Sequence, residues 1–261
     1  MHGLGNDFVV VDARLEHFRA TSQRVARIAD RQRGIGCDQF IITRPSNSAD
    51  VFMEIWNADG SRVGACGNAT RCVGLLLLDE TGKNSITIET DTGILTAERA
   101  PSGVSVNMGP ARTNWDAIPL ARAMDTISTD LEIGGLCSPG CVNMGNPHTI
   151  FFVQDAEKEP LKAIGPLVET HSLFPERVNA SIASIKDGII RLRVWERGAG
   201  ITQACGTAAC ASVVAASRKG LIDRKAIVRL DGGDLAVEWL ENGTVQMAGP
   251  ATLVFKGECD L

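Results

Sequence analysis

The sequence predicts an α/β (α+β) protein of two pseudo-symmetric domains from an internal duplication, each a curved, mostly antiparallel sheet wrapped around a central helix. Two similar segments carry this prediction. One runs from Trp56 to Ala65-Cys66-Gly67 and the other from Trp195 to Ala204-Cys205-Gly206, with corresponding residues 139 positions apart. In each, a short apolar strand and a turn lead to Ala-Cys-Gly and then to a helix. A period this long indicates a duplicated domain, since solenoid repeats are much shorter.

Further matches extend the duplication over most of the chain. Gly5-Asn6 recurs as Gly145-Asn146, 140 positions later, and residues 91–111 recur as residues 231–251. Several glycines within these stretches agree in the same order in both halves, which chance agreement at single positions does not explain.

A stretch of weak periodicity, residues 116–136, is where we place the join between the two halves. The predicted domains are residues 1–118, which carry Cys66, and residues 119–261, which carry Cys205. This division leaves open whether the last strand pairs back with the first domain.

Short apolar runs bounded by turn residues predict the strands, and longer apolar or amphipathic runs predict the helices. Turn signals at residues 91–93 and 101–103 make the end of the first half a meander. The first half is expected to hold strand 8–11, helix 24–31, strands 40–42 and 51–56, helix 68–79, and strands 85–89, 93–98 and 104–108. The second half is expected to hold strand 149–153, helix 161–169, strands 183–185 and 189–195, helix 207–219, and strands 226–230, 234–239, 244–247 and 252–256.

Composition and charge argue against several classes of protein. Of the 261 residues, 44% are hydrophobic and 22% are charged, which is ordinary for a globular protein. A net charge of −5 without a basic cluster gives no reason to expect nucleic acid as a partner. The longest apolar run, residues 73–78, is too short to span a bilayer, and residues 1–8 do not resemble a signal peptide. We therefore expect a cytoplasmic protein without membrane association, whose cysteines stay reduced.

Cys66 and Cys205 each stand directly before a predicted helix. The first amides of a helix have no partner within it and favour negative charge nearby, which predicts a lowered thiol pKa and an anion site. The amides that would hold a carboxylate belong to Gly67, Asn68, Gly206 and Thr207. A lone cysteine there would more often be a small buried hydrophobe, but the duplicated context favours catalysis. The other six of the eight cysteines are interpreted as structural, with no zinc site and no disulfide framework.

Eight motifs, in order along the chain, point to one family. They are His2-Gly3-Leu4-Gly5-Asn6-Asp7-Phe8, Gly34-Ile35-Gly36-Cys37-Asp38-Gln39, Asn57-Ala58-Asp59-Gly60-Ser61, Ala65-Cys66-Gly67-Asn68, Gly145-Asn146-Pro147-His148, Phe174-Pro175-Glu176-Arg177-Val178-Asn179, Glu196-Arg197-Gly198 and Ala204-Cys205-Gly206-Thr207. On these motifs the chain resembles the diaminopimelate epimerases from end to end. The first motif begins at His2, which leaves open an upstream start or a short first strand.

The resemblance implies a fold and an activity. These epimerases invert one α-carbon of LL-diaminopimelate to give the meso isomer, a step of lysine and peptidoglycan biosynthesis. They need neither pyridoxal phosphate nor a metal, so we expect no cofactor. The family has two similar domains, in agreement with the duplication, and it leads us to expect a homodimer whose small-molecule substrate is diaminopimelate.

The resemblance also implies roles for individual residues. Cys66 and Cys205 would be the thiolate and thiol that exchange a proton with the substrate, with His148 as the partner of Cys66 and Glu196 as the partner of Cys205. The α-carboxylate would bind the amides of Gly67, Asn68, Gly206 and Thr207, and Glu196 would also meet the α-amine. Arg197 would bind the far carboxylate, within a polar lining of Asn6, Gln39, Asn57, Asn146 and Asn179.

Other interpretations stay open from the residues alone. His148 and the asparagines could serve turns, and Arg197 could form a salt bridge within the protein. The nearest alternative function is a proline or hydroxyproline racemase, which also uses two cysteines but has a cyclic substrate with no second amino-acid end. A more remote alternative is a non-catalytic thiol or ligand-binding protein.

Overall fold

The computed structural model describes residues 1–259, and these residues form two compact units. Unit 1 consists of Met1–Asn107 together with the described part of Ala248–Leu261, and unit 2 is Met108–Met247. The first unit therefore ends earlier in the chain than the predicted join at 118/119. An antiparallel bridge between His2 and Thr252 ties the end of the described chain to the first strand of unit 1.

The elements that begin in unit 1 are eight strands and two helices. In chain order they are β1 (His2–Gly3), β2 (Asn6–Asp12), α1 (Ser22–Ala29), β3 (Gln39–Arg44), β4 (Val51–Asn57), β5 (Arg62–Val63), α2 (Gly67–Thr81), β6 (Ser85–Thr90), β7 (Gly93–Ala100) and β8 (Gly103–Pro110). Their sheet runs β1-β2-β3-β4-β6-β7-β8, and β5 pairs with β4. The parallel pairs are β2/β3 and β4/β6, and each is joined by a crossover through a helix, as parallel neighbours require.

The elements that begin in unit 2 repeat this plan and are preceded by one small hairpin. They are β9 (Glu132–Ile133), β10 (Leu136–Cys137), β11 (Gly140–Asn143), β12 (Pro147–Phe152), α3 (Leu161–Glu169), β13 (Asn179–Lys186), β14 (Ile189–Glu196), β15 (Gly200–Thr202), α4 (Gly206–Arg218), β16 (Lys225–Leu230), β17 (Gly233–Trp239) and β18 (Thr244–Gly249). The sheet order is β11-β12-β13-β14-β16-β17-β18, and β15 pairs with β14. The parallel pairs β12/β13 and β14/β16 occupy the places of β2/β3 and β4/β6.

The registers confirm the internal duplication at the level of single residues. Phe40 pairs with Trp56 in unit 1, and Ala180 pairs with Trp195 in unit 2. Both sheets are mostly antiparallel, and each wraps around one apolar helix, α2 or α4. The mixed α+β fold class predicted from the sequence is therefore correct.

Small residues allow these two helices to lie close to their sheets. A methyl group added at Gly74 of α2 would lie 2.9 Å from the Cβ of Ala97 in β7, and one added at Gly140 of β11 would lie 3.1 Å from the Cβ of Ala215 in α4. The residues of α4 from Ala208 to Ala216 are all buried, so this helix is covered on every side.

The shorter helices cover the other faces of the sheets. Val25 and Ile28 of α1 pack with Phe40 and Ile42 of β3, whereas Ile41 points to the opposite face and is also fully buried. In unit 2, the equivalent layer contains α3 with Phe151, Ile182 and part of Trp195.

The structure corrects one predicted element and adds several short ones. The strand predicted at residues 252–256 is wrong, because only Thr252 pairs there, in its single bridge to His2. Strands β5 and β15 have two and three residues, too few for an alternating pattern to show in the sequence. Within residues 1–259, no helix is long and apolar enough to cross a membrane.

Candidate active site

Cys66 is the N-cap residue of helix α2, directly before its first residue, Gly67. Its backbone is extended, with φ −149° and ψ 112°, and the chain becomes helical at Gly67. The hydroxyl of Thr70 and the amide of the same residue both donate to the Cys66 carbonyl, which fixes the first turn. The half-buried thiol lies 4.0 Å from the Oδ1 atom of Asn6. Cys66, Gly67 and Asn68 thus occupy the helix start that the sequence predicts.

Asn6 reaches the cysteine because of a tight turn between β1 and β2. Leu4 and Gly5 both have positive φ, 57° and 86°, a conformation that glycine adopts without steric cost and leucine rarely adopts. Asn6 Oδ1 accepts from Asn68 Nδ2 at 3.4 Å, and Asn68 Oδ1 accepts from the buried Arg71 at 2.9 Å. These contacts orient the two predicted asparagines beside the thiol.

Gln39 and Asn57 meet because they are partners in the antiparallel register of β3 and β4. Gln39 Nε2 donates to Asn57 Oδ1 at 3.1 Å, and Asn57 Nδ2 donates to the hydroxyl of Ser61 at 3.1 Å. Asn57 also serves the turn to Ser61, as the alternative interpretation expects. Gln39 Oε1 is buried and accepts no hydrogen bond from the described residues, so its acceptor capacity is unused.

Cys205 is the N-cap residue of helix α4, and its side chain is more buried than that of Cys66. Its Sγ atom lies 3.4 Å from the hydroxyl of Thr207, and Gly206 and Thr207 are the first residues of the helix. Burial, followed by the negative charge of Glu196, raises the pKa of the Cys205 thiol well above its usual range. Thr207 and the backbone of Ala208 oppose this shift without overcoming it. The lowered pKa predicted for Cys205 is therefore wrong, because desolvation outweighs the helix terminus.

Glu196 lies at the end of strand β14, and its carboxylate interacts with Cys205, the residue to which the family resemblance assigns it. Thr202 Oγ1 donates to Glu196 Oε1 at 2.5 Å across the β14/β15 pair. Burial raises the pKa of Glu196, and hydrogen bonds from Thr202 and Cys205 partly offset that effect. A thiol and a carboxylate in contact can pass a proton between them, which is the chemistry that an acid–base pair requires.

His148 is fully buried within strand β12, so it is not the turn residue of the alternative interpretation. Its Nε2 atom lies 2.9 Å from Asn146 Oδ1, which accepts the imidazole proton, while Nδ1 has no partner among the described residues. Burial and the charge of Arg197 lower the pKa of His148 to about 3, so the ring is neutral at neutral pH. The bare Nδ1 of the neutral ring can accept a hydrogen bond, whereas the low pKa opposes full protonation of the ring. The pairing of His148 with Cys66 remains a prediction.

Asn179 and Arg197 are joined through the backbone. Asn179 Oδ1 accepts from the amide of Arg197 at 2.9 Å, and Asn179 Nδ2 donates to the carbonyl of Pro147 at 2.8 Å. The guanidinium of Arg197 donates to the carbonyl of Glu176 at 2.9 Å. Within residues 1–259 no carboxylate forms an ion pair with it, so the internal salt bridge considered above is absent and the exposed guanidinium has donors available for a ligand.

The duplication places most of the predicted site residues at equivalent positions in the two units. The equivalent pairs are Asn6 and Asn146, Gln39 and Asn179, Asn57 and Glu196, and Cys66 and Cys205. Three of the predicted site positions have an ionisable side chain in unit 2 only. Unit 2 has Glu196, Arg197 and His148 where unit 1 has Asn57, Ala58 and Phe8. The two residues that the family resemblance assigns to the thiols as titratable partners therefore both belong to unit 2 in sequence.

Sequence reasoning missed residues that act through others. Thr202 was not predicted, although its hydroxyl donates the shortest contact to Glu196, because a threonine in a three-residue strand carries no pattern of its own. Arg71 was not predicted either, although its full burial beside Asn68 is unusual for an arginine. Its position one turn after Cys66, inside an apolar helix, was the only available signal.

Comparison with known proteins identifies the relatives of this chain. A family model described as diaminopimelate epimerase matches residues 1–114 and 140–254. The diaminopimelate epimerase of Phenylobacterium zucineum (strain HLK1) is 55% identical over 264 residues, a match that covers 99% of this chain and 95% of that protein. The diaminopimelate epimerase of Rhodospirillum centenum (strain ATCC 51521 / SW) is 52% identical over 262 residues, a match that covers 99% of this chain and 90% of that protein.

Solved structures of low sequence identity share the fold. A phenazine biosynthesis protein of the PhzF family from Bacillus anthracis is 20% identical, with a TM-score of 0.65, over 95% of this chain and 91% of that one. A hydroxyproline epimerase from Agrobacterium vitis with bound trans-4-hydroxy-L-proline is 14% identical, with a TM-score of 0.61. The match covers 94% of this chain and 85% of that one. At these identities the likeness concerns the fold alone.

Proposed function

The chain belongs to the diaminopimelate epimerase family, and from this membership we propose that it interconverts LL- and meso-diaminopimelate without a cofactor, by proton transfer through Cys66 and Cys205. The observation that carries the proposal is identity of about half or more to named diaminopimelate epimerases over nearly the whole chain. The family relationship places this reaction in lysine biosynthesis.

The reaction needs a base on one side of the α-carbon and an acid on the other. A thiolate removes the α-hydrogen as a proton, which leaves a carbanion conjugated with the carboxylate. The opposite thiol then donates its own proton to that carbon and becomes the thiolate, so the configuration is inverted and the two sulfurs have exchanged roles. The raised pKa of Cys205 supports its assignment as the thiol, the acid, in the resting state.

The partners of the two thiols return them to their starting states. Glu196, in contact with Cys205, is the group to accept the Cys205 proton when that residue must act as the base. His148 is assigned to Cys66 on the family resemblance: its Nδ1 is unpartnered among the described residues, and the burial that lowers its pKa to about 3 opposes protonation of the ring. Because one thiol must be charged and the other neutral in the productive state, their titrations are coupled.

Binding of the substrate uses the remaining residues of the predicted site. The amides of Gly67, Asn68, Gly206 and Thr207 would hold the α-carboxylate, since they open helices α2 and α4. At the far end of the substrate, the forked guanidinium of Arg197 suits a carboxylate. Buried amide oxygens suit an ammonium group, and Gln39 Oε1 has no other donor among residues 1–259. Asn57, Asn146 and Asn179 complete this lining.

The alternative of a proline or hydroxyproline racemase has weaker support. It rests on structures that are 14% and 15% identical, a likeness that concerns the fold alone. An arginine and several amides at the far end would have no partner on a cyclic amino acid, which has a single carboxylate and a single amine. We therefore favour the long substrate with two amino-acid ends.

Assembly and location belong to the same proposal. We expect a homodimer of 27.8 kDa protomers in the cytoplasm, with no nucleic-acid partner, on the grounds of the family resemblance and the net charge of −5. Size-exclusion chromatography with light scattering tests the assembly, and a particle of one protomer mass would contradict it.

The activity is tested by incubating the purified protein with LL-diaminopimelate and separating the stereoisomers on a chiral column. We expect the meso isomer to form until the two isomers reach equilibrium, and D- or L-proline to remain unchanged. Racemisation of proline without conversion of diaminopimelate would overturn the proposal in favour of the racemase.

A further inference from the structure

Glu169 is a buried carboxylate for which the catalytic scheme gives no role. It is the last residue of helix α3, and 6% of its surface is exposed. The helix dipole disfavours negative charge at this end, and burial of a charge is costly unless hydrogen bonds compensate it. A neutral residue at this position would avoid both costs, so the carboxylate calls for an explanation in terms of its partners.

The partners of Glu169 lie on both sides of two predicted site residues, Glu196 at the end of strand β14 and Arg197 directly after it. Its Oε2 atom accepts from the indole Nε1 of Trp195 at 2.7 Å, and its Oε1 atom accepts from the amide of Gly198 at 3.0 Å. Arg177 adds a contact of 3.5 Å to Oε1. One carboxylate thus holds the residue before Glu196 and the residue after Arg197.

The held segment would otherwise be adaptable. Gly198 and Gly200 both have positive φ, 76° and 86°, so the turn between β14 and β15 uses a conformation that glycine enters and leaves at little cost. A carboxylate that binds both sides of a short segment removes this freedom.

Helix α3 holds Trp195 by packing as well as by the hydrogen bond. A methyl group added at Gly165 would lie 2.5 Å from Cγ of the Trp195 ring, so the ring rests directly against the helix backbone. Gly165 and Glu169 are four residues apart and therefore share one face of the helix. This face fixes the indole, and the indole fixes the end of strand β14.

This arrangement restricts Glu196 and Arg197, which lie between the two residues that Glu169 binds. The Glu196 carboxylate must stay in contact with the hydroxyl of Thr202 and with Cys205, and the Arg197 guanidinium must stay directed to its ligand. We propose that Glu169 is a positioning residue for the epimerisation, which holds the Glu196-Arg197 segment in register without touching the substrate. This inference rests on the proposed function.

The test is the Glu169→Gln variant, which keeps the shape but offers one acceptor oxygen to two donors. We expect kcat to fall roughly 10- to 100-fold with a smaller change in KM, because a small misplacement of a catalytic group costs that much. We also expect amides 196–200 to exchange with deuterated solvent at least about ten-fold faster, as measured by mass spectrometry, because their opening becomes easier.

Glu54→Gln is the matched control. Glu54 is also 6% exposed and also accepts an indole donor, Nε1 of Trp56 at 2.8 Å, but it binds no backbone amide of a site segment. Asn57, which follows Trp56, is held independently by Ser61. We expect a similar loss of folding stability in this variant and a kcat within about two-fold of wild type.

A second variant covers the case in which Glu169→Gln fails to fold. Trp195→Phe keeps an aromatic ring but removes the indole donor, so kcat should fall by a smaller factor, and amides 196–200 should again exchange faster. Unchanged kcat and unchanged amide exchange in either folded variant would overturn the inference. Absence of activity in the wild type would instead count against the proposed function, and the amide exchange would still decide whether Glu169 holds the segment.

Discussion

At the scale of single residues, the site differs between the two repeats at the positions that carry charge. Both repeats have a cysteine before the helix, Cys66 or Cys205, and an asparagine near the start of an equivalent strand, Asn6 in β2 or Asn146 before β12. Glu196 and His148 have no titratable counterpart in unit 1, where Asn57 and Phe8 occupy their places. The duplicated scaffold thus differs at these two positions, as the proposed reaction requires, because one face of the α-carbon loses its hydrogen while the opposite face receives a different one.

The charge of Glu196 can be tested through its effect on Cys205. Because a nearby negative charge opposes formation of the thiolate, Glu196→Gln should lower the pKa of Cys205. The pH dependence of alkylation of Cys205 by iodoacetamide, followed by peptide mass spectrometry, measures this pKa. Glu157→Gln, which removes an exposed carboxylate paired with Arg191, is the control. A Cys205 pKa that stays the same or rises in Glu196→Gln would contradict the assigned contact.

The two cysteines are tested by their removal. Cys66→Ala and Cys205→Ala should each lower kcat by roughly two to four orders of magnitude, the usual contribution of a general acid or base. Cys72→Ala is the matched control, since Cys72 is fully buried in the same helix α2 and burial raises the pKa of its thiol to about 12. An activity loss in Cys72→Ala as large as in Cys66→Ala would show that the effect is structural.

At the scale of elements, strands and helix starts deliver the site residues. Gln39 and Asn57 meet because they are register partners of β3 and β4, and Cys66 and Cys205 precede the helices that cross between parallel strands. Strand β12 carries His148 into the core, where burial lowers the pKa of His148 to about 3. The same burial that keeps His148 neutral also links the stability of unit 2 to pH.

This linkage gives a prediction for the free energy of unfolding. The unfolded chain protonates His148 below a pH of about 6.5, whereas the folded protein does so only near pH 3. Between these values the unfolded state binds more protons, so stability falls as the pH is lowered, by about 1.4 kcal/mol per pH unit from this group. Urea unfolding at pH 7.5 and pH 5.5 measures the fall.

Two variants isolate the contribution of His148. In His148→Gln, the fall in unfolding free energy between pH 7.5 and pH 5.5 should be smaller than in the wild type by about 1.4 kcal/mol. His17→Gln, which replaces an exposed histidine, should retain the wild-type fall. An identical pH dependence in all three proteins would contradict a neutral, buried His148.

At the scale of the whole molecule, the duplication was the feature most predictable from the sequence. A repeat of 139 to 140 residues survives in motifs such as Ala-Cys-Gly, and it predicted two units with the same order of elements. Helix α3 was predicted at its observed limits, because its apolar spacing is regular. The strand at residues 252–256 was predicted wrongly, since apolar residues there indicated pairing that the structure has only at Thr252.

What the sequence could not predict depends on contacts between distant segments. The raised pKa of Cys205 results from burial and from Glu196, neither of which the helix-start pattern contains. The link between Glu169 and the Trp195–Gly198 segment joins the end of a helix to a strand 26 residues away along the chain. Such contacts depend on packing, which local patterns do not encode.

The central claim is that a thiolate removes the hydrogen from one face of the α-carbon and the other thiol adds its own proton to the opposite face. Early-time conversion of LL-diaminopimelate in heavy water tests this claim most directly. Each thiol exchanges its proton with solvent, so the meso product should carry deuterium at the inverted α-carbon while the remaining LL isomer carries none. In Cys66→Ala and in Cys205→Ala, deuterium should enter both isomers much more slowly than it enters the meso product of the wild type. A meso product that retains the original hydrogen, or an LL isomer that is labelled as fast as product forms, would contradict the two-cysteine account.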